Sequence, residues 1–98
     1  MSKSIIQQDR EHCFICKKHA KASYWGLDEH HVYGASNRKK SEKYGLKIYI
    51  CHDSCHLNGV HKNAKLDKAV KAFVQKKAMK HYGWSVEDFI KIFGKNYI

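Results

Sequence analysis

Apolar and polar positions alternate along Leu46-Lys-Ile-Tyr-Ile50, which puts Leu46, Ile48 and Ile50 on one face of a β-strand. Upstream, Leu27 to Tyr33 reads as its partner, punctuated by Gly34, so the two form a long hairpin. The connection from Ala35 to Gly45 is polar and basic and reads as a loop. Past Ile50 the period changes. Asp53 or Ser54 is placed to cap a short helix carrying Cys55 and His56, which Gly59 interrupts or ends. Asn63 to Tyr82 reads as a helix with Leu66, Ala69, Val70 and Phe73 at core spacing and Gly83 as its stop. Ser85-Val-Glu-Asp88 is a capping box, and Val86, Phe89, Ile90 and Phe93 mark one face of a last helix ended by Gly94. Residues 1–11, with only Ile5-Ile6 apolar, read as a flexible arm before a single domain at 12–98. The aromatic bulk of Ser23-Tyr24-Trp25-Gly26-Leu27 is expected to pack under the cysteine cluster or the following strand, with Trp25 in the core.

Ninety-eight residues make one small α+β domain whose limited core gains from a cross-link. No stretch approaches the ~18 apolar residues of a membrane span, and the N-terminus lacks a signal-peptide core, so a reducing cytoplasm and no membrane partner are expected. Nineteen Lys and Arg against nine Asp and Glu give a net charge of +10. Such a field attracts polyanions, nucleic acid above all, although a solvated lysine surface is the plainer use of the same charge. Arg38, Lys39, Lys40 and Lys43 are placed to meet phosphates. Lys62 and Lys65 open a helical stripe, with Lys68 and Lys71, that could lie on DNA.

Chemistry concentrates between Asp28 and His61. Cys13-Phe-Ile-Cys16 and Cys51-His-Asp-Ser-Cys55 are short-spaced pairs that supply the four thiolates of a closed tetrahedral Zn2+ site. Disulfides are the competing use, but the paired spacing and the expected compartment favour metal. The cysteines are then exhausted, while His30, His31, His56 and His61 remain. Imidazole is a usual ligand for a metal that keeps open positions for water and substrate. On a strand His30 and His31 point to opposite faces, so one can hold a metal while its neighbour meets a different target. His61, five residues past His56, is a third ligand, a phosphate contact or a surface residue. His12 and His19 read as exposed bystanders.

From Cys13 to about His61 the chain resembles the HNH endonucleases, the ββα-metal fold, in their zinc-bearing branch with one cysteine pair before the hairpin and one at its end. Asn37-Arg-Lys-Lys-Ser-Glu-Lys-Tyr-Gly-Leu46 and Phe89-Ile-Lys-Ile-Phe-Gly-Lys-Asn-Tyr97 further resemble small phage or prophage HNH proteins. The resemblance implies a ββα-metal core at about 13–62 followed by two C-terminal helices at about 63–98. It implies His30 and His56 as ligands of a catalytic divalent ion and His31 as the general base, while His61 departs from the family's pattern and keeps the three roles given above. Where the family has its central Asn this chain has Tyr44 and Gly45, and Asn37 is the nearest candidate for that role. The implied activity is metal-dependent DNA hydrolysis, leaving 5′-phosphate and 3′-hydroxyl ends, with one active site nicking one strand. Mg2+ or Mn2+ is the family's common ion, and His30 in place of an Asp shifts the preference toward Mn2+, Ni2+, Co2+ or Zn2+. The implied setting is a bacterial host's cytoplasm, with DNA and other phage proteins as partners. The alternative is a zinc-stabilised nucleic-acid-binding module without catalysis, for which the cysteines and the charge suffice.

Overall fold

Strands β1 (Leu27–His31) and β2 (Lys47–Cys51) pair antiparallel, Leu27 opposite Cys51 and His31 opposite Lys47, in a computed structural model that describes residues 3–22 and 26–98. Asp28 and His30 therefore share one face with Ile50 and Ile48, while Leu27, Glu29 and His31 share the other with Cys51, Tyr49 and Lys47. The aromatic stretch Ser23-Tyr24-Trp25, expected in the core, lies outside the described residues.

The alternation along β2 suggests one wet face, yet Lys47 and Tyr49 are as buried as Ile48 and Ile50. The cause is the N-terminal segment, which reads as a flexible arm in the sequence but packs from Lys3 onward against this strand. Ser4 Oγ donates to the Lys47 carbonyl at 2.6 Å, Tyr49 N–H donates to Gln7 Oε1 at 2.7 Å, and Phe14 N–H donates to the Tyr49 carbonyl at 2.8 Å. These contacts satisfy the outer edge of a two-stranded sheet, whose backbone groups need partners once covered. His12 and His19 are likewise not bystanders. Their backbones bridge, their rings meet edge to face at 5.0 Å, and both are half-buried.

The connection read as a loop contains helix α1 (Arg38–Lys43), preceded by a 3-10 turn at Ala35–Asn37. Its residues are mostly good helix formers, and Gly45 ends it at φ +69, a backbone conformation that favours glycine. Ser41 is fully buried and joins the two strand ends: its hydroxyl donates to the Leu46 carbonyl at 2.5 Å and accepts from Tyr33 N–H.

After Cys51 the chain makes a π-helical segment, His52–Val60, and then α2 (Ala64–Tyr82), capped by the Asn63 side chain on Leu66 N–H. The buried face of α2 carries Val70, Val74, Gln75 and Ala78, so it is rotated from the expected one: Ala69 and Phe73 are exposed. Burial follows the i, i+4 row Val70, Val74 and Ala78, and Gln75 is tolerated beside it because Tyr97 N–H and Asn96 Oδ1 saturate its amide. Helix α3 (Val86–Phe93) has the capping box read from the sequence; Phe89 and Phe93 are buried against Tyr33, and Ile90 is exposed. No helix among the described residues is long and apolar enough to cross a membrane.

Candidate metal centre

Cys13, Cys16, Cys51 and Cys55 converge, their sulfurs all within 4.8 Å of one another, and all four are free thiols. A tetrahedral metal with ~2.3 Å bonds to sulfur needs ligands roughly 3.8 Å apart, so the set fits a closed structural site. Burial acts to raise the Cys13 thiol, but backbone N–H groups of Cys16, Cys51 and Ile15 outweigh it and hold it at about 6. Burial and hydrogen bonds to Cys13 and Cys16 push Cys55 up to about 12, and burial raises Cys51 as well. One thiolate thus forms readily and its neighbours resist a second negative charge. A dication is the natural means of ionising all four together.

The second group is His30, His56 and His61, whose candidate ligand nitrogens also lie within 4.8 Å of one another. β1 supplies His30, 8% exposed, with Nε2 lacking any hydrogen-bond partner. Burial, then the positive charge that His56 and His61 can carry, depresses His30 to about 4, so at neutral pH it is an uncharged ring with a lone pair available. His56 and His61 come from the π-helical segment and its end. Their Nε2 atoms are 3.0 Å apart, with ring centroids at 4.5 Å. In an α-helix residues five apart diverge; here His61 N–H donates to the His56 carbonyl at 3.2 Å, an i to i+5 bond that stacks one turn over the other. The wide register, rather than a bend at Gly59, brings His61 to the group. A buried ring nitrogen without a hydrogen-bond partner, with two further imidazoles around the same point, fits a cation.

His31 points to the opposite face, as its place on the strand demands. Its Nε2 is 3.3 Å from Glu42 Oε1 and 3.6 Å from Glu29 Oε1, and those carboxylates also hold the buried Lys47 ammonium, at 2.8 Å for Glu42 and 3.3 Å for Glu29. Glu29, His31 and Glu42 are themselves close enough to hold a metal, but the Lys47 ammonium already sits there as their counter-ion. Burial works against the Lys47 charge, yet hydrogen bonds to Glu42 and Glu29 raise its pKa overall. A cleft of about 570 Å³ nevertheless takes in His30, His31, His56 and His61 together with Arg38 and Lys71.

Asn37 also lines this cleft, but its amide donates to the Phe93 carbonyl at 2.9 Å and so ties the hairpin to the end of α3. Lys40 Nζ donates to the neighbouring Ile92 carbonyl at 2.6 Å, which engages it at a helix C-terminus instead of leaving it free for phosphate. Lys39, Lys62 and Lys65 are exposed, and Lys43 lies 5.3 Å from the Tyr44 ring centroid. Sequence reasoning did not single out Asp28, Glu42 or Asp67. Asp28 Oδ2 is 2.8 Å from His56 Nδ1, and Asp67, in the same cleft, pairs with Lys71 at 2.8 Å. The two-residue spacing of Asp28 and His30 was the available signal. Compared with protein-family models, with curated proteins and with solved structures, the chain matches none.

Proposed function

We propose that the protein is a metal-dependent DNA endonuclease of the HNH type, with zinc in the four-cysteine site and a catalytic divalent ion, Mg2+, Mn2+, Ni2+ or Zn2+, held by His30, His56 and His61. The hairpin, the π-helical segment and the start of α2 then stand for the ββα-metal unit. The reading rests on one observation: a buried, unpartnered imidazole meets two others at a cleft that also takes in His31. When bound, the ion would neutralise charge developing on the leaving 3′ oxygen of a phosphodiester. His31 is the base. With Nε2–H given to Glu42, Nδ1 is the unprotonated nitrogen able to take a proton from water, and Glu42 and Glu29 stabilise the imidazolium that results. Arg38 offers a cationic wall to the phosphate backbone, within a chain carrying +10 overall.

The test is nicking of supercoiled plasmid in Mg2+, Mn2+, Ni2+ and Zn2+ by the wild-type chain and by His31→Ala. Nicking by the wild type and a loss of about 10²-fold or more in the variant, with zinc content and helicity unchanged, are expected. Undiminished cleavage by the variant overturns the assignment. The four-cysteine group and the +10 charge by themselves suit a second reading, a zinc-stabilised nucleic-acid-binding module without catalysis. DNA binding with no cleavage in any of the four ions would establish that reading instead.

A further inference from the structure

We propose that Asp28 is the positioning residue of the imidazole centre, its carboxylate fixing His56 in the tautomer that turns an unprotonated Nε2 toward a divalent cation. The proposal rests on reading His30, His56 and His61 as a cation site, and not on nuclease activity.

Asp28 Oδ2 lies 2.8 Å from His56 Nδ1 and 2.6 Å from His52 Nδ1. Neutral pH lies well above the ordinary pKa of an aspartate, so Asp28 is ionised, and two imidazole nitrogens meet one of its oxygens. An ionised carboxylate only accepts hydrogen bonds, so each imidazole presents Nδ1–H to it. Once Nδ1 of a neutral His56 ring carries the proton, its Nε2 carries the lone pair. That nitrogen is the one 3.0 Å from His61 Nε2, and two ring nitrogens so close need a proton or a cation between them.

The strand explains why one carboxylate can do this. Asp28 and His30 are two residues apart on β1 and share a face, so the strand supplies one ligand directly and aims a second from the segment packed against it. His52, at the first position of the π-helical segment, bonds the same oxygen through its own Nδ1. Carboxylates that accept from the outer nitrogen of a ligating histidine orient the ring and raise its basicity, and their loss typically weakens metal binding by about 10–100-fold.

The experiment uses the full chain with zinc in the cysteine site. Ring 15N shifts of the wild-type protein, with no ion added at the imidazole group, should show His56 protonated at Nδ1, and Asp28→Ala should move it toward the Nε2–H form. Calorimetric titration with Ni2+ should show about 10–100-fold weaker binding in Asp28→Ala and a smaller loss in Asp28→Asn, which keeps the side-chain volume and one acceptor oxygen. Zinc content unchanged in both variants separates this role from a structural one. Wild-type Ni2+ affinity in both variants, or an Nε2–H tautomer already present in the wild type, overturns the proposal. A wild-type chain that takes up no Ni2+ overturns it together with the cation site. Absence of plasmid nicking with the Asp28 effects intact overturns the nuclease reading and upholds this one.

Discussion

His61 donates its backbone N–H to the carbonyl of His56, five residues back, and the two rings end 4.5 Å apart. In an α-helix five residues turn roughly 500°, which would leave the side chains about 140° apart. The π register removes that divergence and brings the His61 ring beside His30 and His56. His61→Ala should therefore weaken divalent-ion binding at the imidazole group by at least about tenfold, or ~1.4 kcal/mol. Because His61 is exposed, the melting temperature of the zinc-loaded chain without added Mn2+ or Ni2+ should barely move. Calorimetry with Mn2+ or Ni2+ on the zinc-loaded chain, paired with a thermal melt, checks both halves. A variant with full affinity would make His61 a surface residue.

Gly45 sits at φ +69 where α1 turns into β2, and a Cβ there would overlap the Lys3 carbonyl oxygen and crowd Ile5. Gly45→Ala meets two obstacles: a left-handed backbone that alanine disfavours by ~1–2 kcal/mol, and the N-terminal segment in the way. The expected result is a loss of about 2 kcal/mol or more, with Lys3 to Gln7 displaced from β2. Urea unfolding gives the first. Faster amide exchange at Ile5 and Tyr49, whose N–H groups bond Gly45 and Gln7, gives the second.

Local chemistry was legible in the sequence where it depends on short spacing. The cysteine pairs, the opposite faces of His30 and His31, the Asn63 and Ser85 caps and the Gly83 and Gly94 stops all follow from neighbours within a few residues. What depended on a distant partner was not. Lys47 looks like the polar half of an alternating strand, and only Glu29, Glu42 and the covering N-terminal segment make its burial tolerable. Nothing local identifies the π register, because it is the five-residue gap between His56 and His61 that would argue against a shared face in an ordinary helix. Asn37 reads as a site residue because it is the nearest candidate for the central Asn that the resemblance implies, and Lys40 because a basic loop is placed to meet phosphates. α3, more than fifty residues later, brings carbonyls for both.

Asn37 accordingly has a stability role that can be separated from any catalytic one. Its amide meets the Phe93 carbonyl, one of the last carbonyls of α3 that lack a partner within the helix. Asn37→Ala should cost about 1 kcal/mol, the usual worth of such a bond, and lower the melting temperature by roughly 4–8 °C for a domain this size. Plasmid nicking per folded molecule should be retained below that melting temperature. A nicking rate that collapses while stability is unchanged would return Asn37 to the catalytic set.

His30 makes folding pH-dependent. In the unfolded chain an imidazole takes a proton near 6.5, but in the folded protein burial, with His56 and His61 adding to it, holds His30 at about 4. Between those values the unfolded chain binds more protons, so the contribution is fully present above about pH 6.5 and is lost as pH falls toward 4. Its size is at most about 3 kcal/mol, from 1.36 kcal/mol per pKa unit. Urea unfolding at pH 7, 6, 5 and 4 without added divalent ions should show this loss in the wild type and a shallower decline in His30→Leu, which keeps an apolar side chain opposite Ile48 and cannot titrate. Parallel declines in the two chains would mean that the folded ring takes its proton as easily as the unfolded one, and the unpartnered Nε2 would then not be shielded from water.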